Sequence, residues 1–131
     1  MTQSGFKLVN LAFRVRNLGE AESLVETSPS WTKLALHDID GVKFLQAEFG
    51  GVAVNLFETA LYDSGAAEKA PGFLHMSFSV PDLARAMKSA EWSDKLVWGP
   101  STIEGAFGRR RIAFFEPFQG CRIELMEEMS D

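Results

Sequence analysis

The sequence repeats itself, and the repeat limits what the chain can fold into. Val9 to Ala21 (VNLAFRVRNLGEA) lies over Leu74 to Ala86 (LHMSFSVPDLARA) at an offset of 65, which matches Phe13 with Phe78, Val15 with Val80 and Leu18 with Leu83. Gly51 to Glu58 (GVAVNLFE) lies over Gly120 to Glu127 (GCRIELME) at an offset of 69, which matches Leu56 with Leu125 and Glu58 with Glu127. Two matches in the same order, with offsets only four apart, point to duplicated modules. The repeat places them at residues 6–60 and 72–128 of one domain spanning 1–131. A linker rich in Gly, Ala and charge (TALYDSGAAEKAPG) separates them.

Each module reads as β-α-β-β-β. In the first, Leu8 to Val15 alternates and is rich in β-formers, which predicts a strand. Asn17 followed by Glu20 has capping-box spacing and opens a helix, which Ser28-Pro29-Ser30 stops. Strands are expected over 31–36, 42–48 and 52–57, with a turn at 38–41 and another at Gly50-Gly51. In the second module, strands are expected over 74–80, 96–98, 110–115 and 121–127. Pro81-Asp82 opens its helix, which runs to about Ala90, and 105–108 reads as a loop. The fold class is α+β, with curved mixed and antiparallel sheets around a cavity and the helices outside.

Composition narrows the function. The 131 residues carry a net charge of −5, so no basic surface for nucleic acid is expected. The basic run Arg109-Arg110-Arg111 reads as a solvated strand start. Cys121 is the only cysteine, which excludes an internal disulfide framework and a Cys-rich zinc site. It reads as a small packing residue. The first residues lack a signal-peptide pattern, and no apolar run approaches the ~20 residues of a membrane span. The expectation is a cytoplasmic protein with no membrane or nucleic-acid partner. Phe is abundant, at 11 residues against one Tyr, so the aromatic mass serves packing. No phosphate loop, serine elbow or dinucleotide fingerprint is present.

The doubled module resembles the glyoxalase / bleomycin-resistance / extradiol-dioxygenase (vicinal-oxygen-chelate) superfamily. Phe73 to Leu83 (FLHMSFSVPDL) is similar to the family's strand with an early histidine and a V-x-D-L lead into a helix. Glu116 to Leu125 (EPFQGCRIEL) is similar to its D-P-x-G-N-x-I-E-L ending, with one extra residue in the turn. The resemblance implies a divalent metal held by four side chains, at positions that are here Asn10, Asn55, His75 and Glu124. The second module keeps a histidine and a carboxylate, while the first has asparagine at both places. Carboxamides are neutral, weaker donors for first-row metals. Any metal at His75 and Glu124 would be weakly held or vestigial, and the expected cofactor is none.

Strand alternation adds neighbours to these residues. Ala12 and Arg14 share the face of Asn10, and Ala53 and Phe57 share that of Asn55. Phe73, Ser77 and Ser79 go with His75, and Arg122 and Met126 with Glu124. The other faces (Leu11, Phe13, Val15; Leu74, Met76, Phe78; Val54, Leu56; Ile123, Leu125) belong against the helices. The candidate ligand-binding set is Asn10, Arg14, Asn55, Phe57, His75, Ser77 and Glu124.

Each member also has a plainer reading. His75 reads as ligand or base, or as a hydrogen-bonded structural histidine. Glu124 reads as a site carboxylate, or as one solvated on an open sheet. Arg14 reads as an anion binder, or as a partner of Glu124. His37, beside a turn, is expected to be exposed, and the three Trp residues read as core or interface aromatics.

Two functions follow. One is a small-molecule-binding protein without a complete metal site. The other is a divalent-metal-dependent lyase, isomerase or dioxygenase in which His75 and Glu124 are the catalytic candidates. A purely structural module is the third reading, with no specific residue behind it. Open sheet edges and the resemblance both imply a homodimer.

Overall fold

The computed structural model describes residues 5–39, 41–58, 71–90, 92–105 and 108–129. The chain divides into Asn10–Leu74 and a second unit made of Met1–Val9 and His75–Asp131. In the N-terminal module, β1 (Lys7–Arg14) leads to α1 (Leu18–Thr27) and then to β2 (Trp31–Ile39), β3 (Val42–Phe49) and β4 (Val52–Phe57). Its strand order is β2-β3-β4-β1. β1 and β4 are parallel, with Leu11 opposite Val54 and Ala12 opposite Asn55. The other two pairs are antiparallel.

The C-terminal module repeats this order. β5 (Gly72–Ser79) leads to α2 (Leu83–Ser89), a 3-10 turn (Ser93–Lys95), β6 (Leu96–Gly105), β7 (Gly108–Phe118) and β8 (Cys121–Glu128). The strands run β5-β8-β7-β6, with β5 and β8 parallel and the rest antiparallel. Residues 9–14 and 74–79 thus occupy equivalent strands, and the fold is α+β.

The helix starts explain why the repeat preserves the residues it does. Asn17 caps α1 by accepting from the Glu20 amide at 2.9 Å, and Asp82 caps α2 by accepting from the Arg85 amide at 3.1 Å. These bonds satisfy amides that have no partner inside the helix. A second amide at each start is met from the sheet. The Leu18 amide donates to Glu58 at 2.5 Å, and the Leu83 amide donates to Glu127 at 2.7 Å. Glu58 directly follows β4, and Glu127 is the penultimate residue of β8. Each ties its helix start to its sheet and places negative charge at the positive end of the helix.

Each helix covers one sheet face. Leu18 and Val25 of α1 pack on Leu45, Ala47, Val54 and Leu56, with Phe13, Val15 and Trp31 alongside. Leu83 and Ala86 of α2 pack on Ala113, Phe115 and Leu125, with Phe6, Phe78, Trp92 and Ile123 alongside. Trp92 meets Phe6 and Phe115 edge-on.

Several expectations need correction. β2 runs to Ile39 and β6 to Gly105, beyond the expected ends, and both contain register shifts. In β6 the alternation breaks at those shifts, which shortened the expected strand; in β2 the shift lies inside the expected strand, and the turn signal at 38–41 set the early end. Gly105 and Gly108, expected in a loop, pair across β6 and β7, and residues 106–107 of that expected loop lie outside the described residues. Leu74, assigned to the helix-side face, joins Ala12, Phe44 and Phe57, and Phe73 lies edge-on to Phe13. Leu74 and His75 are both buried, so both faces of β5 are covered at its start. Arg110 is buried, unlike its exposed neighbour Arg109, with Nη1 3.5 Å from the Met126 sulfur. The linker over 59–70 and Asp40 of the predicted turn lie outside the described residues.

Candidate functional site

In the C-terminal module, the parallel pairing of β5 with β8 sets Ser77 beside Glu124. Ser77 is fully buried, and Glu124 and His75 are only 7% and 8% exposed. The Ser77 hydroxyl donates to Glu124 Oε1 at 2.6 Å, and His75 Nε2 stands 3.5 Å from the same oxygen. A buried carboxylate requires such partners, because leaving water costs it more than burial returns. Phe114, opposite Glu124 on β7, meets the His75 ring edge-on at 5.1 Å. Trp98 from β6 meets Phe114 in turn. One sheet face thus presents a histidine, a hydroxyl and a carboxylate walled by aromatic rings. Further along it, buried Arg122 donates through Nε and Nη2 to Glu116 Oε1 at 3.1 and 3.0 Å. The sequence reading missed that ion pair; the two-residue spacing of Arg122 from Glu124 was its only signal.

The N-terminal module is built differently at the equivalent positions. Asn10 and Asn55 are 7% and 5% exposed, and the Oδ1 atom of each has no hydrogen-bond partner among the described residues. Each such buried acceptor costs about 1–3 kcal/mol of lost hydration. Gln46 lies opposite Asn55, and its Oε1 is 3.0 Å from His37 Nε2. His37 stacks on Phe44, which stacks on Phe57, with centroids 4.7 and 4.8 Å apart. His37 is therefore half-buried within β2, and the expectation of an exposed turn residue is corrected; the longer β2 is the reason. Phe57, a candidate ligand contact, sits in the cluster with Ala12, Phe44 and Leu74. Arg14 donates from Nε to the Glu58 carbonyl at 2.9 Å.

The implied metal can be tested against these donors. Among the described residues, no three His, Cys, Asp or Glu side chains stand together as a metal-binding group. His75 and Glu124 are separated by a distance two ligands of one ion could span, yet they are two donors where tight transition-metal sites use three or four. Glu124 Oε1 also already accepts from Ser77. The donor set does not fit a tightly held transition metal.

No protein-family model and no curated protein sequence matches the chain. Solved structures do. Methylmalonyl-CoA epimerase from Mycobacterium tuberculosis superposes with a TM-score of 0.74 at 19% identity, covering 99% of this chain and 93% of that one. The chain shares its fold with methylmalonyl-CoA epimerases. A second such epimerase, in complex with methylmalonyl-CoA and NH4+, gives a TM-score of 0.71 at 14% identity, covering 95% of this chain and 96% of that one. A hypothetical protein from Bacillus halodurans gives 0.72 at 19% identity, covering 96% of both chains. The likeness supports the fold expected from the duplicated module. At these identities it carries the fold and no activity. No described helix is long and apolar enough to cross a membrane.

Proposed function

We propose that the chain binds a small organic molecule on the polar sheet faces of its modules, without a complete metal site. The observation that carries this is the buried cluster of His75, Ser77 and Glu124. Natural cores seldom bury three polar side chains where apolar ones would pack as well. In the N-terminal module, the unpartnered Oδ1 atoms of Asn10 and Asn55 support the same reading, because a ligand donor would satisfy them. Arg14 and Phe57 complete the proposed contacts on that side. The expected assembly is a homodimer, which light scattering tests. A library of small acids, hydroxy acids and acyl thioesters, screened by native mass spectrometry, tests the binding. Glu124→Ala and Asn55→Ala should each weaken a hit; loss of about 1 kcal/mol or more is expected for the Asn55 change. A hit untouched by both changes would refute the assignment.

The second reading is an isomerase or lyase of the same superfamily. It is favoured by the fold shared with the epimerases and by the 3.5 Å approach of His75 to Glu124. A positioned carboxylate beside an imidazole can move a proton at a carbon next to a carbonyl. Solvent-deuterium exchange into methylmalonyl-CoA, lost in Glu124→Gln, would establish this reading over simple binding.

A further inference from the structure

The histidine and carboxylate of the C-terminal module have a third member that the metal-binding reading does not use. Ser77 has no exposed surface, and its hydroxyl lies 2.6 Å from Glu124 Oε1. His75 Nε2 faces the same atom. Neither contact uses Oε2. Oε1 is the oxygen nearest the imidazole, and so the one that would share an ion with it.

We propose that Ser77 is a specificity-determining residue that takes the place of a metal ion at Glu124. Its hydroxyl makes a short, charge-assisted hydrogen bond to Oε1, the oxygen that an ion shared with His75 would use. This inference rests on reading the cluster as the ligand site, and it deepens that reading by naming the ligand chemistry. A site organised by a metal selects a molecule with two adjacent acceptor oxygens that chelate. A carboxylate whose Oε1 is already held selects a molecule that brings a donor, a hydroxyl or N–H, to Glu124. The class expected is therefore a hydroxylated or amino-bearing small molecule rather than a chelating dioxygen compound.

A hydroxyl near a metal-binding carboxylate has an opposite, supporting use. Partners that orient metal ligands strengthen metal binding, and removing them costs about 10–100-fold in affinity. The two roles thus predict changes of opposite sign. Buried Ser77 sits on the oxygen facing His75, where it competes with an ion.

Calorimetric titration with Co(II) decides between them. Ser77→Ala should bind Co(II) more tightly than the wild type, by about tenfold, the scale on which groups beside the ligands tune a site. Adding His75→Ala should abolish the gain, and Ser77→Thr, which keeps the hydroxyl, should restore the wild-type weakness. Unchanged or weaker Co(II) binding in Ser77→Ala overturns the proposal. Should Ser77→Ala fail to fold, the wild type supplies the answer through Mn(II) line broadening in NMR. Glu124 and His75 signals should broaden no earlier than those of surface carboxylates; selective broadening at one equivalent overturns the proposal. Failure of the library screen would count against the ligand-binding reading, and neither metal experiment depends on it.

Discussion

The two modules agree where the fold needs them to and differ where chemistry would be done. Both start their helix with a side-chain cap, and both send a glutamate at the end of the last strand or just past it to a leucine amide at that helix start. At two other equivalent positions they part. Asn10 and Asn55 hold buried, unpartnered carboxamide oxygens, whereas His75 and Glu124 meet each other and Ser77. A duplicated framework therefore carries two different polar faces. Residues that terminate helices are constrained by the backbone, which is the same in both halves; residues on the open faces are constrained by what they bind.

The edge strands offer the largest contrast. Both β2 and β6 break register, but they do so with different residues. In β6, Gly99 has a φ of +88°, and a Cβ there would lie 2.7 Å from the Ile112 carbonyl oxygen. That clash is with backbone, so the sheet itself would have to shift. Gly99→Ala should destabilise by about 3 kcal/mol, from overpacking added to a strained backbone. Leu34, at the β2 irregularity, is 48% exposed, and Leu34→Ala should cost under about 0.5 kcal/mol. Urea melts of both variants check this, and equal costs would mean the two edges are built alike.

The polar faces come next. Asn55→Leu removes a buried acceptor that has no partner, and the replacement has a similar shape. The free protein should be unchanged or gain up to about 1 kcal/mol. Glu124→Leu strands the fully buried Ser77 hydroxyl and should cost about 1–3 kcal/mol. A destabilising Asn55→Leu would show that the N-terminal carboxamide is structural and would remove that half of the contrast.

How much of this was readable from sequence follows the same division. The repeat, the caps at Asn17 and Asp82, and the helix-side cores were legible because they depend on local spacing and alternation. His75, Glu124, Asn10 and Asn55 were placed by the family resemblance, with the repeat in support, and all four are buried. The end of β6 was not legible, because its register shifts interrupt the alternation from which a strand is read. β2 was read too short because Asp38 to Gly41 has the composition of a turn. His37 was misplaced for that reason. The Ser77 bond was not legible either. Alternation put Ser77 on the right face, but only the parallel register of β5 with β8 shows which residue stands beside it.

The helix-start glutamates should give a smaller effect. Glu127 is half-buried and Glu58 exposed, so Glu127→Ala should cost about 1–2 kcal/mol and Glu58→Ala about 0.5–1 kcal/mol. Amide exchange at Leu83 and Leu18 should rise in the respective variants. No change at either amide would mean that Asn17 and Asp82 suffice alone.

The smallest effect belongs to a surface contact of the N-terminal module. Lys33 of β2 reaches α1, with Nζ 2.7 Å from Glu22 Oε2 and 3.0 Å from Glu26 Oε2. Hydrogen bonds to Glu22 and then Glu26 hold its pKa above the usual lysine value of 10.5, against a small opposing effect of desolvation. A raised folded-state pKa means that the folded protein holds this proton more tightly than the unfolded chain. The stabilisation is complete below pH 10.5 and is lost as pH climbs through the higher folded-state value. Being exposed, the pair contributes little and is screened by salt. Lys33→Met should therefore melt slightly below the wild type at pH 7 in low salt. The gap should close both in concentrated salt and as the pH passes above 10.5. A gap that persists under both conditions would assign the effect to packing of the Lys33 stem against α1 rather than to its charge.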